Sequence, residues 1–197
     1  KPVTYYNHFK PSDEVNIPRA YIIPQGWFNV IELLTLNAVD MRRFEKDTII
    51  NVESYKIKSF ETVKTPFEGH YMHYNTEIQT KAENIRFAKG DYLVLTNQPA
   101  LRYLLETLEP QAPDSFFNWN FFDSILKQKE GFSPYVWEDL ALELLNKNPD
   151  LKITFEAKKK TDTDFAINWY AQLAWLHQQS DYYEKAQLQY PVYRITN

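Results

Sequence analysis

Four histidines, His8, His70, His73 and His177, are the side chains of this 197-residue chain best suited to proton transfer or to metal ligation through nitrogen. The spacing His70-x-x-His73 would put two imidazoles on one side of a helix. The surrounding residues argue for a strand instead. His70, Met72, Tyr74, Thr76, Ile78 and Thr80 alternate with Tyr71, His73, Asn75, Glu77 and Gln79. On a strand, residues three apart point to opposite faces, so His70 and His73 separate while Glu68 and His70 share a face. Glu68 and His70 are therefore the candidate polar site. In the company of Met72 and Ile78, His70 reads as a buried, hydrogen-bonded histidine. His177 and Asp181 stand at i,i+4 near a helix end, where a charged cap explains them without a metal.

Carboxylates are plentiful. Glu106, Glu109 and Asp114 surround Pro110, and Asp123, Glu130, Glu138 and Asp139 follow. Acid–base cleavage of a glycoside needs two carboxyls at a set separation across a cleft, and nothing in the spacing singles out a pair. Charge at helix starts accounts for most of them. There is no cysteine, hence no thiolate, no disulfide and no cysteine-type zinc site. No G-x-S-x-G elbow is present. Ser115, next to Asp114, reads as a helix cap. The expectation is that this chain holds no catalytic residue and no metal site of its own.

Four scattered glycines, Gly26, Gly69, Gly90 and Gly131, cannot build a phosphate-cradling loop. A formal net charge of −4 argues against a nucleic-acid partner. No apolar run is long enough to span a bilayer. The chain starts at Lys1 without a visible signal and reads as a mature product or an excised piece. Aromatic residues make up 16% of the sequence, and Phe116, Phe117, Trp119, Phe121, Phe122 and Trp137 are concentrated in one region. They read chiefly as core. Phe116, Phe117, Trp119, Phe121 and Trp137 are also the candidate docking or ligand surface.

The elements that must position these groups follow from hydrophobic period and punctuation. Residues 1–18, with Pro2, Pro11 and Pro18, form an extended lead-in. Arg19 to Pro24 is a short strand, and Trp27 to Leu34 carries helical spacing ended at Asn37, a residue that tolerates the left-handed conformation. Residues 48–58 form a strand in which Ile50 and Val52 share one face and Tyr55 and Ile57 the other, which a bulge would reconcile. Tyr92 to Leu95, apolar on both faces, belongs centrally in a sheet. Pro99 opens a helix through Leu108, which Pro110 stops. A second helix carries Phe116 to Leu126. Ser133-Pro134 opens a third, with rows Val136, Leu140, Leu144 and Trp137, Ala141, Leu145. Residues 150–160 form a short helix or loop. A last helix starts at Asp162 or Asp164 and runs through Phe165, Trp169, Leu173 and Leu176. Tyr190 to Ile195 reads as an edge strand, because proline lacks the ladder N–H. The fold class is α+β: a mixed sheet in the N-terminal half, the C-terminal strand returning to it, and a helical layer from the C-terminal half. One domain is expected over 19–197, divided into a strand-rich part 19–97, a helical part 98–189 and the return strand 190–197.

The order RAYIIPQGW, VIELLTLN, VESYKIKSF, FEGHY, GDYLVLTNQPALRYLLETLEP, DSFFNWNFFDSILKQKE, SPYVWEDLALELL and PVYRI, spanning about residues 19 to 195, resembles the region that follows the catalytic domain in bacterial zinc carboxypeptidases of the M14 type, especially large ones of Bacteroidetes-like genomes. In that family a His-x-x-Glu pair and a distant His bind zinc, and a Glu acts as general base. Here His8, His70, His73 and His177 are followed three residues later by Pro11, His73, Thr76 and Ser180, so none of those roles transfers to a residue of this chain. The resemblance implies a C-terminal accessory domain without catalytic residues, packing on or supporting an upstream peptidase domain of the same polypeptide. Zinc would belong to that parent domain, with none in this chain, and the setting would be periplasmic or extracellular. A different reading of the aromatic surface is a free-standing peptide- or glycan-binding module.

Overall fold

The structure is a computed structural model that describes residues 2–8, 14–127 and 131–196. Pro11 of the lead-in and Glu130 lie outside the described residues. Where one body is expected from residue 19 onward, the chain divides into two compact units: residues 1–126 with 188–197, and residues 127–187.

The first unit is built on six strands: β1 (Ala20–Ile23), β2 (Arg42–Arg43), β3 (Thr48–Thr62), β4 (His73–Phe87), β5 (Tyr92–Leu95) and β6 (Tyr193–Ile195). Their order is β2-β5-β1-β6-β3-β4. Every strand pairing is antiparallel, where a mixed sheet is the expectation from sequence. The α+β class holds and the C-terminal strand does return to the sheet. It does not lie at the edge: β6 pairs with β1 on one side and with β3 on the other. Pro191 stands two residues before β6, so its missing N–H removes no bond from the ladder.

Both faces of this sheet are buried, and that resolves the phase change in β3. Tyr55 and Ile57 join the main core with Tyr21, Ile23 and Val94. Val52 joins a second cluster with Ile22 and Phe87, with Ile50, Phe44 and Tyr193 packed against it. Successive side chains point to opposite faces, so an unbroken strand satisfies both sets. The β3–β4 register runs without a break from Thr48↔Phe87 to Ile57↔Ile78. Bulges do occur, but farther on, between Ile57 and Ser59 and between Ser59 and Glu61.

Two helices cover the main core. Val30, Ile31 and Leu34 of α1 (Phe28–Leu36) and Leu104 and Leu108 of α2 (Leu101–Leu108) are buried there. Asn37 is the C-cap of α1 as expected, but the left-handed position falls one residue later. Asn37 keeps a negative φ of −90°, and Ala38 takes the left-handed position with φ 55°. Val39 N–H then donates to Leu34 O and Ala38 N–H to Thr35 O, both at 3.0 Å, the paired bonds of a Schellman turn. Pro99 falls outside α2. Glu109, extended before Pro110, ends that helix as expected.

The segment after Pro110 is not the aromatic helix its sequence suggests. It is a series of tight turns leading to a single 3-10 turn at Asp123–Leu126. At about 100° per residue, Phe116, Phe117 and Phe122 would splay around a helix. The turns instead send all three into one core, at 5%, 0% and 0% exposure. Ser115 Oγ accepts from Asn118 N–H at 3.1 Å, Asn118 Nδ2 donates to Ala112 O at 2.8 Å, and Asn120 takes a positive φ of 67°.

The second unit contains α3 (Pro134–Lys147), α4 (Pro149–Thr161), α5 (Thr163–Ile167) and α6 (Trp169–Gln178) around Trp137, Ala141, Phe155, Phe165 and Leu176. Residues 150–160 are helical throughout. The single last helix is broken into α5 and α6 because Asn168 caps the latter, accepting from Ala171 N–H at 3.0 Å. Asn148 and Asp162 cap α4 and α5 in the same way. Val136, expected in an inner row of α3, is exposed.

The two-faced sheet makes a testable demand. Phe87 anchors the second cluster at 2% exposure, whereas Phe28 at the start of α1 is exposed. Urea unfolding of Phe87→Ala is expected to show a loss of about 3–5 kcal/mol, and Phe28→Ala less than about 0.5 kcal/mol.

Candidate functional site

The sites anticipated from sequence are dispersed by the fold. Phe67 and His70 exchange both backbone hydrogen bonds at 2.9 Å around a tight turn in which Glu68 and Gly69 have φ of 49° and 84°. Two positive φ values in succession define a type I′ turn. Glu68 and His70 are therefore turn neighbours and do not share a strand face, because β4 begins only at His73. His70 is half-buried, edge-on to Trp119 at 5.4 Å and stacked on Phe121 at 6.3 Å. Of the aromatic set, Phe116 and Phe117 lie in the first unit's core and Trp137 in the second unit's core. Trp119 and Phe121 remain half-buried beside the hairpin tip. His8 is exposed. His177 lies among Phe132, Trp137 and Tyr183, and burial lowers its pKa.

His73 is the histidine that the structure buries, at 5% exposure. The register shift beyond Ser59, together with the positive φ of 51° at Asn75, turns the start of β4 over. His73 and Thr76 thereby face inward. The imidazole packs against Phe60 and Phe117, with ring centres at 4.6 and 5.0 Å. Its Nδ1 is 2.9 Å from Thr62 Oγ1 on the paired strand, and its Nε2 is 3.0 Å from Asp123 Oδ1 in the 3-10 turn. An ionised carboxylate only accepts, so the network assigns the proton to Nε2. Nδ1 then offers a lone pair to the Thr62 hydroxyl. Thr62 is exposed and Asp123 is partly so. His73 also borders a half-open recess of about 410 Å³ lined by Val63, Met72, Tyr74, Gln111 and Asn118.

A second polar centre lies inside the sheet. Arg194 of β6 is 5% exposed, as is Glu109 at the end of α2. The guanidinium donates from Nη1 to Glu53 and to the Tyr55 hydroxyl, and from Nη2 to the carbonyl of Asn16 in the lead-in. Its Nε stands 3.1 Å from Glu109 Oε1, within ion-pair distance but without hydrogen-bond alignment. Tyr21 O–H donates to the same Glu109 oxygen at 2.5 Å. Burial raises the pKa of Glu109, outweighing the opposing pull of Tyr21 and Arg194. Tyr21 and Tyr55 are raised as well, by burial first and then by the Glu109 charge. This centre is sealed from ligands and its role is structural.

Sequence reasoning missed Arg194, Thr62 and the inward turn of His73, and took Glu109 only as one carboxylate among several around Pro110. A cation inside the apolar run Val192-Tyr193-Arg194-Ile195 is a signal that could have been used, since a buried charge requires a partner.

His73 and Asp123 bond to each other directly, and among the described residues no three His, Cys, Asp or Glu side chains gather as a metal ion requires. Among the described residues no helix is long and apolar enough to cross a membrane.

Fold and site together define an α+β chain with one sealed ionic centre and one hydroxyl–imidazole–carboxylate chain at a hairpin end. No protein-family model matches it, and no solved structure does. A stretch of 101 residues, 50% of the chain, is 34% identical to carboxypeptidase 2 of Trichophyton tonsurans and to that of Trichophyton equinum. A 99-residue stretch is 32% identical to a probable carboxypeptidase 2 of Arthroderma benhamiae. The chain covers only 18% of the length of these relatives. It therefore contains a region related to part of these carboxypeptidases.

Removing the cation leaves two carboxylates without their partner. Arg194→Met is expected to cost about 3–5 kcal/mol in denaturant unfolding. The Glu109 pKa sets a sign. Because the folded value is raised above the ordinary 4.5, the carboxyl's contribution is fully present below that value and is lost as pH rises through the folded value. The stability of the native chain relative to Glu109→Gln is expected to fall over that interval. A rise would show that pairing with Arg194 outweighs burial.

Proposed function

We propose that this chain is a C-terminal accessory region of a zinc metallocarboxypeptidase of the M14 type, packing on or supporting a catalytic domain upstream in the same polypeptide. It contributes none of the zinc ligands and no general base for that reaction. The observation that carries the reading is the 101-residue likeness to proteins named carboxypeptidase 2, of which it occupies 18%. A region of that size, within relatives several times longer, leaves room for a separate catalytic domain. The order of sequence motifs supports the M14 assignment and a Bacteroidetes-like origin. On this reading zinc belongs to the parent domain, and the protein works in the periplasm or outside the cell.

A peptide- or glycan-binding role is favoured by one specific feature. Phe67 and Tyr71 are exposed on either side of the hairpin turn, and Phe67 lies 6.2 Å from the Trp119 ring. Aromatic faces presented in this way suit stacking on a ligand.

The deciding measurement is zinc content and release of C-terminal residues from peptides, made on the full-length polypeptide and on this chain alone. The full-length protein is expected to carry one zinc and to lose activity on chelation. This chain is expected to carry none and to be inactive. Stoichiometric zinc in this chain, with peptidase activity that chelation abolishes, would overturn the proposal.

A further inference from the structure

The geometry points to Thr62 as a base-assisted nucleophile that takes acyl groups from activated esters, with His73 as its base and Asp123 as the residue that positions the base. This goes beyond the accessory reading and involves no metal. Three observations carry it. Thr62 Oγ1 is 2.9 Å from Nδ1 of His73, and the opposite ring nitrogen is 3.0 Å from a carboxylate that fixes the tautomer. This is the hydroxyl–base–orienter relation that activates nucleophiles generally. The roles of the two ring nitrogens are exchanged relative to the Ser-His-Asp arrangement described for serine proteases.

Burial is distributed as the chemistry needs. The imidazole is enclosed by Phe60 and Phe117, so its orientation is held by packing. Thr62 itself is an exposed residue, so an acyl donor can approach it from solvent, and the next residue, Val63, lines the recess beside His73. Asn120 borders the imidazole–carboxylate pair: its Nδ2 donates to Tyr71 O at 2.9 Å and lies 3.3 Å from His73 Nε2 and 3.5 Å from Asp123 Oδ1.

In the step, Thr62 Oγ bonds to the ester carbonyl carbon and its proton passes to His73 Nδ1. The ester C–O bond then breaks, and the aryl oxide departs with the electron pair and receives the proton from His73. The products are an acyl-threonine ester and a phenol. Esters with good leaving groups are the reachable class, because departure of a stable aryl oxide asks least of oxyanion stabilisation, and reaction stops at the acylated chain.

The test uses the whole chain with p-nitrophenyl acetate, reading acetylation site by site by peptide mass mapping. Thr62 is expected to be acetylated at least tenfold faster than the exposed Thr65. The label is expected to vanish in Thr62→Val, to persist in Thr62→Ser, and to fall about 100-fold in His73→Asn, the scale of one general base. Since His73 is buried and its replacement perturbs packing, Asp123→Asn and Asp123→Glu supply the second arm. The former is expected to slow labelling at least tenfold and the latter to restore part of it, with the unfolding midpoint unchanged in both. Equal labelling of Thr62 and Thr65 in the native chain, or rates in Asp123→Asn equal to native, would overturn the proposal.

Discussion

One buried guanidinium ties the C-terminal strand to β3, to the end of α2 and to the lead-in. Arg194 sits on a strand of three residues between β1 and β3, and its ladder partner on β3 is Glu53, the residue that also accepts its ion pair. Glu109 reaches the same cation from the end of α2, and Tyr21 reaches Glu109 from β1. Asn16 adds the lead-in. A buried ion pair is weak evidence for net stability, because desolvation offsets attraction. What it imposes here is uniqueness. A one-residue slip of β6 would turn Arg194 toward the cluster of Ile22, Val52 and Phe87 and would leave Glu53 and Glu109 on the other face without their cation.

That constraint reaches the hairpin end where the polar chemistry lies. β3 holds Tyr55 and Ile57 against the main core while segment 188–190 runs alongside, with Ile57 N–H donating to Leu188 O and Tyr190 N–H to Tyr55 O, each at 2.9 Å. Beyond this anchored stretch the two bulges begin, and beyond them Thr62 meets His73. Leu188 N–H also donates to Ile125 O at 2.8 Å, next to the 3-10 turn that contains Asp123. The chain thus leaves the first unit at Leu126 and re-enters it at Leu188 beside the point of departure. The helical residues between have their own core around Trp137 and Phe165. An insertion with adjacent ends can be accommodated without disturbing the sheet, since the closure it requires is already made by a backbone bond.

Local signals were legible where one rule dominated. The strand at Ala20–Ile23, the helix after Trp27, the stop at Pro110 and the Ser133-Pro134 start all depend on near neighbours, and all appear. The failures have a common cause, which is that partners distant in sequence decided the outcome. Proline before β6 suggested an edge, yet β1 and β3 close around that strand. The phase change in β3 suggested a bulge, yet a second buried face accepts Val52 as it stands. Phe116, Phe117 and Phe122 suggested a helix, yet their common destination requires turns. Simple alternation places His73 on the face opposite Ile78, yet Asn75 and the shifted register break that alternation and bring His73 to Phe60 and Phe117.

The two polar centres differ in the one respect that separates scaffold from chemistry. Arg194 and Glu109 are enclosed on all sides, so their charges can serve only the fold. Thr62, His73 and Asp123 combine a buried imidazole with an exposed threonine and a partly exposed aspartate. Such an arrangement is stable without any ligand, because each ring nitrogen is satisfied within the chain. It nevertheless leaves the hydroxyl of an exposed threonine bonded to a base whose orientation packing has already fixed. Arg194 pairs with β3 at Glu53, and past the bulges beyond Ile57 the same strand brings Thr62 opposite His73. The enclosed ion pair and the Thr62–His73 pair therefore lie in succession along one strand.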